Sequence, residues 1–169
     1  TDTARDVIEM LVSGEEMERK PTSLQSTLGV ELSLRRESYP HTEFVFDEAD
    51  LRLDVLANEL LASVFRNLLN NAVEHNDKDH PIVEVSCEPD GDSIVVRVAD
   101  NGPGIPEAHR ETVFDAGRRG LDSSGSGMGL YLVTKLVTGY GGEVWIEDNT
   151  PKGTIVALQL PRADGPSGS

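Results

Sequence analysis

Three polar side chains at four-residue spacing form the first group that could do chemistry. Asn67, Asn71 and His75 would lie on one side of a helix, because residues four apart are neighbours on a helix surface. The run also contains Asn70, and asparagine lowers helix propensity more than lysine or glutamate would. Amide oxygens are hard ligands that suit Mg²⁺. A solvated helix face is the other interpretation of this row.

A second group follows a predicted strand and reads Asp-Asn-Gly-Pro-Gly-Ile-Pro from Asp100 onward. Its two glycines, Gly102 and Gly104, allow backbone conformations and a close approach of ligand that other residues forbid. A carboxylate at the strand end can accept a hydrogen bond from an exocyclic amine such as that of adenine. An ordinary turn with an Asx contact is the alternative.

The third group is a glycine-rich turn, Gly125–Leu130, which reads Gly-Ser-Gly-Met-Gly-Leu and leads into residues with helical spacing. Main-chain N–H groups at a helix N-terminus, together with the helix dipole, favour a bound phosphate. The spacing differs from the dinucleotide fingerprint, because Leu130 stands where a glycine is wanted. It also differs from a P-loop, because no Gly-Lys-Ser/Thr follows.

Hydrophobic periodicity predicts the elements that would position these groups. The predicted helices are Ala4–Leu11, Thr22–Arg36, Asn58–His75 and Met128–Tyr140, and the predicted strands are Glu43–Phe46, Ile82–Cys87, Ile94–Ala99, Glu143–Glu147 and Thr154–Leu160. The order of helix, hairpin, loop, helix and hairpin predicts an α+β fold with a largely antiparallel sheet and helices on one face.

Composition excludes several classes of protein. The chain has 169 residues, which is enough for one domain with appendages, and its net charge of −15 argues against nucleic acid and anionic membranes as partners. Cys87 stands alone, which excludes a disulfide framework and a cysteine-rich zinc cluster. No segment is apolar over the ~20 residues that a membrane span needs, so we expect a soluble chain. The dispersed acidity leads to the hypothesis of a salt-loving host.

Taken together and in this order, the motifs resemble the ATP-binding catalytic domain of sensor histidine kinases, which shares its superfamily with gyrase, Hsp90 and MutL ATPases. The resemblance covers about Leu51 to Pro161. The matching segments are Asn67–Ala72 (N box), Asp100–Ile105 (G1 box), Val113–Asp115 (start of the F box), Gly125–Leu130 (G2 box) and Lys152–Thr154 (the final glycine and threonine). The fold implied is a two-layer sandwich of a mixed, mostly antiparallel sheet with helices on one face.

The resemblance implies ATP and Mg²⁺ as cofactors. Asn71 would coordinate the metal with help from Asn67, Asp100 would read the adenine amine, Thr154 would support Asp100, and Arg119 would act on the γ-phosphate. The expected catalytic residues are Asn67 and Arg119. The expected nucleotide-binding residues are Asn67, Asn71, His75, Asp100, Gly102, Gly104, Ile105, Arg119, Gly125, Gly127, Met128, Gly129, Leu130 and Thr154.

The resemblance also implies a cytoplasmic protein-histidine kinase of two-component signalling. The acceptor histidine would lie on a dimerisation hairpin before residue 1, the full-length protein would be a homodimer, and a response regulator would be its partner. This fragment alone should bind ATP and ADP without autophosphorylating. The expected division is 1–20 (tail of the dimerisation helix and linker), 21–50 (connecting segment and first strand), 51–162 (ATP-binding domain) and 163–169 (disordered tail).

Some residues depart from the family pattern and leave alternatives open. Glu74 and His75 stand where many relatives have lysine and tyrosine, and Gly117 stands where the F box usually ends in a second phenylalanine. One alternative is a serine kinase of the anti-sigma type, and another is a degenerate nucleotide-binding scaffold module. Asn67 takes the place of the water-activating glutamate of DNA-processing and chaperone relatives, which argues against efficient hydrolysis.

Overall fold

The computed structural model describes residues 18–46, 53–74, 76–104, 129–150 and 152–163. Its elements in chain order are β1 (Lys20–Ser23), α1 (Leu24–Ser38), β2 (Glu43–Phe46), β3 (Asp54–Ala57), α2 (Leu61–Glu74), β4 (Ile82–Asp90), β5 (Ser93–Asp100), α3 (Gly129–Gly139), β6 (Glu143–Asp148) and β7 (Thr154–Pro161). None of the helices within these ranges is long and apolar enough to cross a bilayer.

The main sheet has five strands in the order β2-β4-β5-β7-β6. Strands β2 and β4 are parallel, whereas the β4/β5, β5/β7 and β6/β7 pairs are antiparallel. The register places Val85 opposite Val98 and Val98 opposite Val156, so alternate residues of each strand point to the same face. This face packs against the helices, and the predicted α+β class with a mixed, mostly antiparallel sheet is confirmed.

Helix α2 is the central helix of this packed layer. Its apolar side chains Leu61, Val64, Phe65 and Leu68 are buried, as the 3.6-residue period of the sequence predicts. It contacts α1 on one side, α3 on the other and the sheet beneath. The helix begins three residues later than predicted, because Asn58 accepts a hydrogen bond from Leu60 N–H through its side chain at 2.9 Å and so precedes the helix.

The N-terminal part of the described chain belongs to the same core. Leu24, Leu28 and Leu32 of α1 are fully buried in it, and α1 starts at the side chain of Ser23, which accepts the Ser26 N–H at 3.1 Å. The packed unit therefore extends beyond the boundary at residue 51 that the sequence favours for the ATP-binding domain. Strands β1 and β3, which the sequence pattern did not predict, form a separate antiparallel pair.

The residues just before β1 are held at the ends of α2 and α3. Asn58 donates a hydrogen bond to the Glu18 carbonyl at 3.1 Å, and Arg19 donates one to the Tyr140 carbonyl at 2.9 Å. The buried Tyr140 hydroxyl donates to the Asn58 side-chain oxygen, and burial raises the pKa of this phenol above its ordinary value. These contacts fix where the chain joins the packed domain.

The far end of the described chain meets the small sheet from its other side. Arg162 forms an antiparallel bridge with Val55, and Ala163 N–H donates to the Asp54 carbonyl at 2.9 Å. Because Val55 also pairs with Thr22 of β1, strand β3 lies between β1 and Arg162.

Candidate functional site

The Asp100 carboxylate lies at the C-terminal end of β5, as predicted, and is held by main-chain groups. Its Oδ1 accepts the Gly102 N–H at 2.9 Å and the Thr154 N–H at 3.3 Å. Thr154 is buried at the start of β7, which pairs with β5. The structure thus brings Asp100 and Thr154 together, and the contact that it shows uses the threonine main chain.

The Asp100 carbonyl is fixed as well, by the turn between β6 and β7. Asn149 donates its side-chain N–H to this carbonyl at 2.7 Å. In the same turn Gly153 has φ +129, and a Cβ at this residue would lie 1.9 Å from the Asp100 oxygen. Only glycine fits here, because any other residue would suffer both the clash and a strained backbone.

The two glycines after Asp100 leave little room for side chains. A Cβ on Gly102 would lie 3.1 Å from Asp100 Oδ1 and 3.4 Å from the Cα of Asn76. Gly104 has φ +87, in the left-handed region that favours glycine. The loop after β5 therefore lies directly against the Asp100 carboxylate and against Asn76, two residues after α2.

Helix α2 carries the two predicted metal-binding amides, and both side chains are half-buried. Asn67 donates its N–H to the Ser63 carbonyl one turn earlier at 2.7 Å, which commits its nitrogen to the helix. Within the part of the chain that the structure describes, the Asn71 side chain has no hydrogen-bond partner. Mg²⁺ prefers oxygen ligands such as an amide oxygen, so the Asn71 side chain could coordinate this metal.

A pair of asparagines that the sequence reasoning missed joins the helix to the loop. Asn76, just after α2, donates its side-chain N–H to Asn101 Oδ1 at 2.8 Å, and the same oxygen accepts the Ile82 N–H at 3.0 Å. Asn149 was missed too. The sequence gives little indication of these contacts, because single asparagines in loops are typical of turns and do not reveal their distant partners.

The turn before α3 is only partly described. Gly129 is the first residue of α3, as the predicted glycine-rich motif requires, and Leu130 packs against the core. The predicted helix Ala4–Leu11, the F-box segment Val113–Asp115 and the tail 164–169 lie outside the described residues. So do the predicted site residues His75, Ile105, Arg119, Gly125, Gly127 and Met128.

Glu74 stands where many relatives have a lysine, at the end of α2, and contacts Tyr39, which directly follows α1. The hydroxyl of Tyr39 donates a hydrogen bond to Glu74 Oε2 at 3.4 Å. Burial raises the pKa of this phenol, and the charge and hydrogen bond of Glu74 raise it further. The Glu74 carboxylate is therefore directed towards the end of α1.

The chain combines an asparagine helix, a carboxylate at a strand end and a glycine-rich sequence before a second helix, and its sequence matches a known family. The model of the histidine kinase-, DNA gyrase B- and HSP90-like ATPases aligns with residues 57–164, which is more than half of the chain. The chain belongs to this ATPase family. Within this family, the chain is an ATP-binding catalytic domain of the sensor histidine kinase type.

Individual proteins with similar sequences are also sensor histidine kinases. The chain is 39% identical over 106 residues to the sensor histidine kinase DpiB of Escherichia coli, an alignment that covers 60% of this chain and 19% of DpiB. It is 34% identical over 125 residues to the sensor histidine kinase CitA of Klebsiella pneumoniae, covering 70% of this chain and 23% of CitA. The chain thus spans about a fifth of the length of these relatives.

Solved structures give the same result for the fold. The catalytic domain of histidine kinase ThkA superimposes with a TM-score of 0.78 at 25% identity. The superposition covers 86% of this chain and 97% of that domain. Nearly all of that catalytic domain therefore has a counterpart in this chain.

Proposed function

We propose that this domain binds ATP with Mg²⁺ and supports transfer of the γ-phosphate to a histidine on a dimerisation hairpin of the full-length protein. ADP would be the product, the full-length kinase would be a homodimer on the cytoplasmic side, and a response regulator would receive the phosphate. The observation that carries the proposal is the Asp100 carboxylate, fixed by two main-chain N–H groups beside the end of the asparagine helix.

Asp100 is the proposed adenine reader. Hydrogen bonds from Gly102 and Thr154 hold its carboxylate in one orientation before any ligand arrives. A fixed acceptor loses little conformational entropy on binding an exocyclic amine. Guanine carries a carbonyl oxygen where adenine carries that amine, so the same acceptor would be left facing another acceptor and would reject GTP.

Asn71 is the proposed metal ligand, with Asn67 one turn earlier on the same helix. Among the described residues, no three His, Cys, Asp or Glu side chains gather into a metal cluster. The donor set would therefore combine amide oxygen with water and phosphate oxygens, which Mg²⁺ accepts. When bound, the metal neutralises phosphate charge, and phosphoryl transfer depends on such neutralisation and on alignment.

The remaining assignments rest on the motifs. Gly127 and Gly129 would bind the phosphates through main-chain N–H groups near the start of α3, and Gly125 would belong to the same nucleotide-binding segment. Arg119 would stabilise charge on the γ-phosphate as transfer proceeds. His75, Ile105, Met128 and Leu130 would border the nucleotide.

Calorimetric titration at high salt tests the binding site. ADP and a non-hydrolysable ATP analogue should bind, Mg²⁺ should strengthen their binding, and GTP should bind at least tenfold more weakly, a difference of ~1.4 kcal/mol. Asp100→Asn keeps the size of the side chain but removes the charged acceptor, so it should weaken ADP binding about tenfold or more. Asn71→Ala should abolish most of the Mg²⁺ effect. ADP affinity that is unchanged in both variants would overturn the assignment.

A second experiment tests transfer. The chain alone should form no phosphohistidine from ATP, and a longer protein that includes the dimerisation hairpin should form it. The second candidate function is a nucleotide-binding scaffold that does not transfer phosphate. The observation that favours it is Glu74, which stands where relatives have a phosphate-binding lysine and whose carboxylate accepts a hydrogen bond from the Tyr39 hydroxyl at 3.4 Å. Tight ATP binding without phosphohistidine in the longer protein would favour the scaffold.

A further inference from the structure

The end of α2 is tied to the loop after β5 by one pair of side-chain amides. Asn76 lies two residues after the end of α2, and its main-chain N–H donates to the Val73 carbonyl in the last turn of the helix at 3.1 Å. Its side-chain oxygen accepts the Lys78 N–H at 2.8 Å, and its side-chain nitrogen donates to Asn101 Oδ1 at 2.8 Å. Both ends of the Asn76 amide are therefore in use, which fixes its orientation.

The partner amide is equally constrained. Asn101 Oδ1 also accepts the Ile82 N–H at the start of β4, and Asn101 Nδ2 donates to the His80 carbonyl at 3.5 Å. Asn101 directly follows Asp100 in the chain. The amide pair thus connects the residue next to the proposed adenine reader with the helix that carries Asn71.

The turn between β6 and β7 provides a natural comparison. Asn149 also holds Asp100, through the carbonyl at 2.7 Å, but this hydrogen bond comes from the β6/β7 turn and does not involve α2. Removing the Asn149 side chain would free the Asp100 carbonyl and the Thr150 N–H, neither of which belongs to α2. Removing Asn76 or Asn101 would instead loosen Asp100 and its loop relative to the helix.

We propose that Asn76 and Asn101 are positioning residues that couple metal binding at Asn71 to adenine binding at Asp100. The inference rests on the proposed function, in which one nucleotide occupies both places at once. A ligand that spans two contact points binds best when their separation is preset, because less ordering is then needed on binding. By linkage, Mg²⁺ and the adenine end strengthen each other to the extent that this geometry holds.

The test measures one ratio, the ADP dissociation constant without Mg²⁺ divided by that with Mg²⁺, by calorimetry on the whole chain. Asn76→Ala and Asn101→Ala should each lower this ratio about threefold or more, as expected when the hydrogen bond between them is lost. The double variant should lower it little further, because each single change already removes that bond, and the other bonds of the two side chains do not join α2 to the loop after β5. Asn149→Ala, the matched control, should weaken ADP binding equally with and without Mg²⁺ and leave the ratio unchanged.

A second variant guards against damage to the fold. Asn76→Asp has the same shape and can still accept the Lys78 N–H, but it cannot donate to Asn101, so it should lower the ratio as Asn76→Ala does. If Asn101→Ala does not fold, as judged by circular dichroism, the two Asn76 variants decide. An unchanged ratio in both folded Asn76 variants overturns the coupling and leaves the nucleotide site intact. Absence of Mg²⁺-enhanced ADP binding in the unaltered chain overturns the proposed function and the coupling with it.

Discussion

Asp100 is held by groups that lie far apart in the sequence. Thr154 and Gly102 hold its carboxylate, and Asn149 holds its carbonyl. The contact with Thr154 is implied by the resemblance to the kinase family, and a local contact with the loop after Asp100 is what an Asx turn provides. The contact with Asn149 could not be predicted, because only the pairing of β5 with β7 brings that loop to Asp100. Asn76 could not be predicted either, because only the packing of α2 against the sheet brings it to Asn101.

Gly153→Ala should displace Asp100. The new Cβ would lie 1.9 Å from the Asp100 oxygen at φ +129, so both the backbone and the strand end must move. We expect a loss of about 2 to 3 kcal/mol in the free energy of unfolding. We also expect ADP affinity to fall about tenfold or more, by calorimetry, because the adenine reader moves with its main chain.

Gly91→Ala is the matched control for this change. Gly91 also has a left-handed backbone, with φ +62, but a Cβ added at this residue, in the hairpin turn, would meet nothing within 4 Å. The variant should lose about 1 kcal/mol of stability through backbone strain alone and bind ADP normally. Equal losses of ADP affinity in the two variants would show that Asp100 does not depend on the Gly153 contact.

The long elements could be predicted, and of the four-residue strands β2 could be predicted whereas β1 and β3 could not. Helix α2 has an apolar stripe over 14 residues, which is enough to identify its period and its buried face. Strands β1 and β3 have four residues each, and β1 contains Pro21 among polar residues. Their structure comes from pairing with each other, which no local pattern reveals.

The face of the sheet that lies away from the helices has its own charged cluster. Arg97 of β5 donates to Glu147 of β6 at 3.1 Å and to Glu88 of β4 at 2.9 Å. Trp145 donates its indole N–H to Glu147 at 2.7 Å. The pKa of Glu147 is lowered below its ordinary value of 4.5, mainly by the hydrogen bond from Arg97 and to a smaller extent by that from Trp145. This carboxylate therefore stabilises the sheet more strongly when it is ionised than when it is protonated.

Glu147→Gln should make this contribution visible as a pH dependence. A lowered pKa in the folded state means that the stabilisation is complete above pH 4.5 and is lost as the pH falls through the folded-state pKa. The melting temperature of the variant should therefore lie below that of the unaltered chain at pH 7, and the difference should shrink towards pH 3. Glu88→Gln removes the more exposed partner of Arg97 and should have a smaller effect. A difference that is constant with pH would contradict this account.

Charge is a property of the whole molecule that the sequence predicts directly. Thirty acidic residues against fifteen basic ones give a net charge of −15. Repulsion among these groups opposes the compact state. The fold class also followed from the order of the elements, whereas the extent of the packed unit did not, because the burial of α1 depends on contacts with α2.

Salt should stabilise the domain. The Debye length falls from ~10 Å at 0.1 M to ~3 Å at 1 M salt, so repulsion between surface carboxylates is screened. The melting temperature should rise between low and molar sodium chloride at pH 7. Near the isoelectric point of about 4.5, where the net charge is small, the rise should be smaller. A melting temperature that does not increase with salt at pH 7 would contradict the proposed effect of charge.

Strand β3 lies between β1 and Arg162, so the two ends of the described chain lie close together in space. Strand spacings of ~4.8 Å and a rise of ~3.3 Å per residue place Lys20 and Arg162 roughly 12 Å apart. A flexible linker of about eight residues would span this distance. In a circular permutant of residues 18–163, such a linker would connect residue 163 to residue 18, and the new ends would lie in the exposed turn between Gly91 and Asp92. This permutant should fold with the circular dichroism spectrum of the unaltered chain.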